Sequence, residues 1–125
     1  MRVLIADDQK GVGESLAALV VKCGHEVLLV VGSGLDAIHA YTRLKPDVVL
    51  MDYSMPRLNG ATAARMILAK DPGARIVIVS AAPHTARLAD TGAITILSKP
   101  VDLDKLYAAL YDATPRPTEL PDPTP

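Results

Sequence analysis

The sequence has no tryptophan and no phenylalanine, and its only aromatic residues are four tyrosines. Any core must therefore be packed with Val, Leu, Ile, Ala and Met. Base stacking on aromatic platforms, as single-strand nucleic-acid binders use it, has little to work with. The one cysteine, Cys23, excludes a disulfide framework and a zinc site of several thiolates. Neither charge sign dominates: 13 basic and 14 acidic side chains leave a net charge of -1. That removes the electrostatic case for direct nucleic-acid binding or for an anionic membrane surface. No apolar run approaches the ~20 residues needed to span a bilayer, and acids already at Asp7 and Asp8 leave no room for a signal peptide. A reducing cytoplasm is the natural default compartment. With 125 residues, half of them apolar, the chain can build one full core. These features predict a soluble, one-domain protein.

What is present is an alternation of short apolar runs and segments of helical period. Arg2–Ala6 reads as a strand, buried except at its start. Val12, Leu16, Leu19, Val20 and Cys23 fall on one helical face, with Gly24 as the stop. Glu26–Val31 is a second run. Ser33 can cap a helix carrying Leu35, Ile38 and Tyr41, and Pro46 ends that region. Asp47–Met51 is the third strand. Gly60 opens a helix through about Lys70, and Asp71-Pro72-Gly73 makes the turn. Arg75–Val79 is the fourth strand, residues 85–91 suit about two helical turns, and Ile94–Leu97 is the fifth strand. Asp102 caps a last helix with Leu103, Leu106, Tyr107 and Leu110 on one face. Continuous Val/Ile/Leu runs mean strands covered on both faces, hence a parallel sheet between helices. A closed eight-fold barrel would need roughly twice this length. The pattern predicts an α/β fold with an open, doubly wound five-stranded parallel sheet. After residue 113 the composition changes to five prolines with a single apolar Leu120. Residues 1–113 read as the domain and 114–125 as an extended Pro-rich tail or linker.

In such a sheet, function collects outside the carboxyl ends of the strands. Asp7-Asp8, Asp52, Ser80 and Lys99-Pro100 all fall there. Singly, each has an ordinary explanation: Asp7 and Asp8 as helix caps, Asp52 as a loop opener, Ser80 as a turn cap, Lys99 as an exposed lysine. His25, His39 and His84 lack acidic or cysteine neighbours at ligand spacing and read as surface or structural. The conjunction is more informative. Three carboxylates pressed together repel, and a hard divalent cation with oxygen ligands resolves that repulsion. A carboxylate can also attack phosphorus to give an acyl phosphate, whose charge then needs a metal on one side and an ammonium on another. These residue types predict a phosphoryl-accepting site.

At this point the chain resembles the receiver domain of two-component response regulators, from Met1 to about Ala113. The resemblance rests on VLIADD, VVLMDYSMPRLNG (Asp52 to Gly60 above all), IVIVSA and GAITILSKP. It implies the flavodoxin-like (βα)5 fold with strand order 2-1-3-4-5. It further implies that Asp52 accepts a phosphoryl group from the phosphohistidine of a sensor histidine kinase or phosphotransfer protein. Asp7, Asp8, Asp52 and the Ser54 backbone carbonyl would hold Mg²⁺, with Mn²⁺ a possible substitute. Ser80 and Lys99 would grip the phosphoryl group, and the Lys99-Pro100 peptide would be cis. The expected output is altered binding of a downstream protein through the face formed by the fourth helix, fifth strand and fifth helix. The expectation is also that no nucleic acid or membrane is bound directly, and that the chain is a monomer or a weak phosphorylation-dependent dimer. Such a switch would catalyse at most its own phosphorylation and dephosphorylation and would not be a dedicated turnover enzyme.

Two departures from the family pattern concern the output face. Three residues before the lysine, where relatives carry Tyr or Phe, this chain has Ile96. Ser80 to Lys99 spans 19 positions, about three fewer than usual, so the fourth helix should be short or irregular. A metal-dependent phosphatase would need an acid where Ser54 stands, and a flavin site lacks its aromatic sandwich. A stand-alone receiver is the first expectation. The alternatives are the amino-terminal domain of a longer regulator and a phosphorylation-independent interaction module.

Overall fold

The strands pair side by side in the order β2-β1-β3-β4-β5, all parallel. The computed structural model describes residues 1–81 and 91–114. Its elements are β1 (Arg2–Ala6), α1 (Lys10–Lys22), β2 (Glu26–Val31), α2 (Gly34–Leu44), β3 (Val48–Asp52), α3 (Gly60–Lys70), β4 (Ile76–Ser80), β5 (Thr95–Ser98) and α4 (Leu103–Ala113). The short helix expected over 85–91 and the tail beyond 114 lie outside the described residues, except Thr91.

Successive residues of a strand face opposite sides of the sheet, and the core divides accordingly. Leu4, Ala6, Val49, Met51, Ile76 and Ile78 pack under α2 and α3 through Ala37, Ile38, Ala63, Ala64 and Ile67. Val3, Ile5, Val48, Leu50, Val77 and Val79 pack under α1 and α4 through Leu16, Val20, Leu106 and Leu110. The core is accordingly built of alanines on α3 and Val, Ile, Leu and Met on the strands. β1, β3 and β4 are buried almost throughout, as their continuous apolar runs predict.

The edges depart from that rule. β2 is half-exposed, with Leu29 and Val30 both 37% accessible, because an edge strand has a neighbour on one side only. A bulge also interrupts it: Val3 pairs with Val27 but Leu4 with Leu29, so Leu28 is unpaired. Two helical faces are rotated from the expected ones. α2 buries Gly34, Ala37, Ile38 and Ala40 while Leu35 points to solvent, and α4 buries Leu106, Ala109, Leu110 and Ala113 while Leu103 and Tyr107 are exposed. Alanine, apolar but small, marks the buried stripe in both. Ser33 and Asp102 cap as expected, accepting from the N–H groups of Asp36 and Lys105, and Asn59, not foreseen as a cap, accepts from Thr62 N–H ahead of Gly60. Gly24 follows α1 with φ +89.

β3, β4 and β5 each run one residue later than the apolar runs. Asp47 instead braces the chain below β3, its carboxylate accepting the Arg2 N–H at 2.7 Å. The shift makes Asp52 and Ser80 the last residues of their strands. Of the histidines, His25 lies with Nδ1 2.7 Å from the Met1 amine, and burial together with that positive charge lowers its pKa. His39 is exposed, and His84 lies outside the described residues. Cys23 is half-buried, and burial raises its thiol pKa. Among the described residues no helix is long and apolar enough to cross a membrane.

Candidate functional site

Asp7 follows β1 directly, and the sheet fixes its backbone: its N–H donates to Val31 at 2.9 Å. It does not cap α1. Gln9 occupies that cap position without a side-chain bond, and Asp7 Oδ1 accepts the Gln9 N–H at 2.8 Å. The other oxygen, Oδ2, lies 3.1 Å from Lys99 Nζ. Asp52 closes β3, next to β1 in the sheet, and its Oδ1 stands 3.2 Å from the same ammonium. Lys99 is thus shared by two buried carboxylates. Its own backbone is held by β4, with N–H donating to the Ser80 carbonyl at 2.9 Å. The Lys99-Pro100 peptide is cis.

Asp8, exposed beside Asp7, completes an acidic cluster. One oxygen from each of Asp7, Asp8 and Asp52 lies within 4.8 Å of the others. Three carboxylates against one ammonium leave the cluster negative. Burial and the charge of Asp7 raise the Asp52 pKa to about 6, against the pull of Lys99. Burial works to lower the Lys99 pKa, but its hydrogen bond to Asp7 and the charges of Asp52 and Asp7 hold it above its ordinary value.

The loop after Asp52 is tightly specified. Tyr53 N–H donates to Val79 at 2.8 Å, and Gly60 N–H to the Tyr53 carbonyl at 2.7 Å, so α3 begins hard against the end of β3. Ser54 is exposed, and its N–H reaches Asp52 Oδ1 at 3.4 Å. Arg57 holds φ +70 inside a three-residue turn closed by Leu58 N–H to the Pro56 carbonyl at 2.8 Å. Ser80 is buried, one residue beyond the partner of Asp52, and pairs with Ser98 across to β5. Ile96 pairs with Ile78 and packs, half-buried, against the core under α2 and α3.

Of the sequence-predicted residues, Asp7, Asp8, Asp52 and Lys99 therefore converge, Ser54 follows Asp52 in the loop, and Ser80 ends the neighbouring strand. Ile96 is packed against the core layer under α2 and α3. Sequence reasoning did not anticipate the Asp7–Lys99 pair, because 92 positions separate the partners. It also missed a cavity of about 750 Å³ between α1 and the loop after β5, where Lys99 forms part of the wall.

The family described as the response regulator receiver domain matches residues 3–111, and the chain belongs to that family. It is a signalling receiver of the two-component type and not a dedicated enzyme. A chemotaxis protein CheY from Thermotoga maritima is 36% identical over 112 residues, covering 87% of this chain and 93% of the relative. The CheX–CheY–BeF3–Mg²⁺ complex from Borrelia burgdorferi superposes with a TM-score of 0.83 at 27% identity, over 88% of this chain and 86% of that one. The receiver domain of sensor histidine kinase PA1611 from Pseudomonas aeruginosa, with a magnesium ion coordinated in its active-site cleft, has a TM-score of 0.80 at 25% identity, over 87% and 93% of the two chains.

Proposed function

We propose that Asp52 is the phosphoacceptor of a cytoplasmic signalling switch and that Asp7, Asp8 and Lys99 serve its chemistry. The observation that carries this is the shared ammonium: Lys99 Nζ within 3.2 Å of Asp52 and 3.1 Å of Asp7, beside a third carboxylate. A carboxylate oxygen of Asp52 attacks the phosphorus of a phosphohistidine. The new O–P bond forms as the P–N bond breaks, and the electron pair leaves with the donor imidazole. Lys99 then answers the charge on the phosphoryl oxygens, and the Ser80 hydroxyl donates to one of them.

A cluster of three carboxylates against one ammonium, with Asp8 open to solvent, suits a hard divalent cation. Mg²⁺, with Mn²⁺ as a substitute, would be held by Asp8 and Asp52 directly, by Asp7 through water and by the Ser54 carbonyl. The ion supplies neutralisation of phosphoryl charge when bound. The upstream partner is a sensor histidine kinase or phosphotransfer protein. The downstream partner meets the face of β5 and α4, where Ile94, Leu103, Tyr107 and Tyr111 expose apolar surface. The receiver occupies residues 1–113, and 114–125 act as tail or linker.

Incubation with phosphoramidate and Mg²⁺ tests the assignment. One phosphoryl group is expected, labile to hydroxylamine as an acyl phosphate is, and absent from Asp52→Asn. Equal labelling of the Asn variant refutes it.

A further inference from the structure

The cavity of about 750 Å³ beside Lys99 is lined mainly by apolar side chains, with Gln9, Ser15 and Lys99 as its polar members. Val12, Leu16 and Leu19 of α1 form one wall, and Val79, Pro100 and Val101 form the other. Asp52 does not itself line the cavity, but Lys99 does, and its ammonium is 3.2 Å from the Asp52 carboxylate, so this residue joins the apolar walls to the acceptor. An occupant that fits both has an aliphatic chain and a phosphoryl head. The head must lie beside Lys99 for charge and beside Asp52 for transfer, and the chain then runs from the head along the aliphatic walls. Resting on Asp52 as acceptor, we propose that this groove is an acyl-chain subsite, through which the protein takes phosphoryl groups from medium-chain acyl phosphates in preference to short ones.

The transfer balances without a further reactant. Asp52 attacks phosphorus, the O–P bond to Asp52 forms, and the P–O bond to the acyl group breaks. The electron pair leaves on the fatty carboxylate, and no proton or redox change is required. The gain comes from burial of methylenes. Full burial of one CH₂ is worth about fourfold in affinity, and a groove open along one side should give about half that exponent, roughly twofold per methylene.

The test is the half-saturating concentration for Asp52 phosphorylation by acetyl, butanoyl, hexanoyl and octanoyl phosphate, with Mg²⁺ present. The expected result is a fall of about twofold per methylene until the groove is filled. Val12→Thr and Val101→Thr keep the wall's shape and make it polar. They should flatten the series while leaving phosphoramidate labelling unchanged. Leu19→Gln provides the same reading should the paired variant fold poorly. As a readout without transfer, hexylphosphonate should shift the methyl resonances of Leu16 and Val101 and methylphosphonate should not. A half-saturation independent of chain length overturns the subsite. So does a chain-length slope that survives in the polar variants. Labelling by phosphoramidate with no chain dependence rejects the groove alone, whereas no labelling by any donor rejects Asp52 as acceptor.

Discussion

A Cβ added to Gly60 would overlap the carbonyl oxygen of Asp52 and come within 2.9 Å of the Tyr53 Cα. The first residue of α3 and the last of β3 are thus in backbone contact that only glycine permits, and both obstacles are main chain with no side chain to rotate away. Gly60→Ala should destabilise the protein by about 3 kcal/mol, the upper range for an overpacked site. It should also slow Asp52 labelling at least tenfold, since relief requires Asp52 itself to move. Denaturant unfolding and phosphoramidate labelling measure the two effects; a variant normal in both would show that the loop is slack.

The raised pKa of Asp52 has a sign that can be checked in metal-free protein. A carboxyl that binds its proton more tightly when folded stabilises the native state below its unfolded value of 3.8. That contribution is lost as pH rises to the folded value of about 6. A displacement of this size corresponds to on the order of 2–3 kcal/mol. With a chelator present, Asp52→Asn should therefore raise the melting temperature by several degrees at pH 8 and by little at pH 4. An equal effect at both values contradicts the electrostatic account.

Removing the ammonium should have opposite consequences for metal and phosphoryl. Lys99→Gln takes a positive charge from between Asp7 and Asp52, so Mg²⁺ should bind several-fold more tightly to the unphosphorylated protein. Phosphoryl transfer should slow at least tenfold for want of charge neutralisation. Asp8→Asn should instead cost most of the Mg²⁺ affinity. Isothermal titration distinguishes the cases, and weaker Mg²⁺ binding by Lys99→Gln would falsify the competition.

Arg57 sits at φ +70, where a side chain is strained and glycine is not. Arg57→Gly should stabilise the protein by about 0.5–1 kcal/mol, the strain relieved exceeding the entropy of a freer unfolded chain. Arg57→Val, β-branched in the same turn, should destabilise it by a similar amount or more. The ordering Gly, Arg, Val in urea midpoints is the result to look for.

Ile96 is β-branched, stiff at χ1 and packed against Ile78's layer. Phosphorylation should leave its rotamer unchanged, so Ile96→Val should label and bind partners almost normally. Ser80→Ala should accept the phosphoryl group but respond less in conformation. Methyl chemical shifts with and without a phosphate mimic decide this. A rotamer flip of Ile96 on addition of the mimic would refute it.

The sheet was legible because its three inner strands are apolar on both faces, and that pattern has no other comfortable home than the middle of a helix sandwich. The site was legible for a related reason: Asp7, Asp52 and Lys99 each interrupt an apolar run at its carboxyl end, and the topology carries those ends to one edge. What stayed hidden depends on neighbours remote in sequence. Leu35 and Tyr107 satisfy a helical repeat as well as buried residues do, and only docking on the sheet shows that Ala37 and Ala109 take the inner positions. The half-exposure of β2 follows from its being last in the sheet, a property of strand order that its own residues do not encode. The sharing of one ammonium by two carboxylates needs the β1–β3 pairing, which sets Asp7 beside Asp52, together with the β4–β5 pairing that carries Lys99 to the same edge.

The unpaired Leu28 in β2 bears on how the protein behaves when crowded. An open edge carrying Val-Leu-Leu-Val-Val is the kind of surface on which chains zip together into stacked fibrils. Such growth needs an unbroken two-residue alternation, so that each added strand presents the same side chains to the same face. The extra residue reverses that alternation after Val27, leaving a regular stretch of only a few residues on either side. The edge can therefore stay rich in β-branched residues, as β1 requires of its partner, while giving an incoming strand too short a template to propagate.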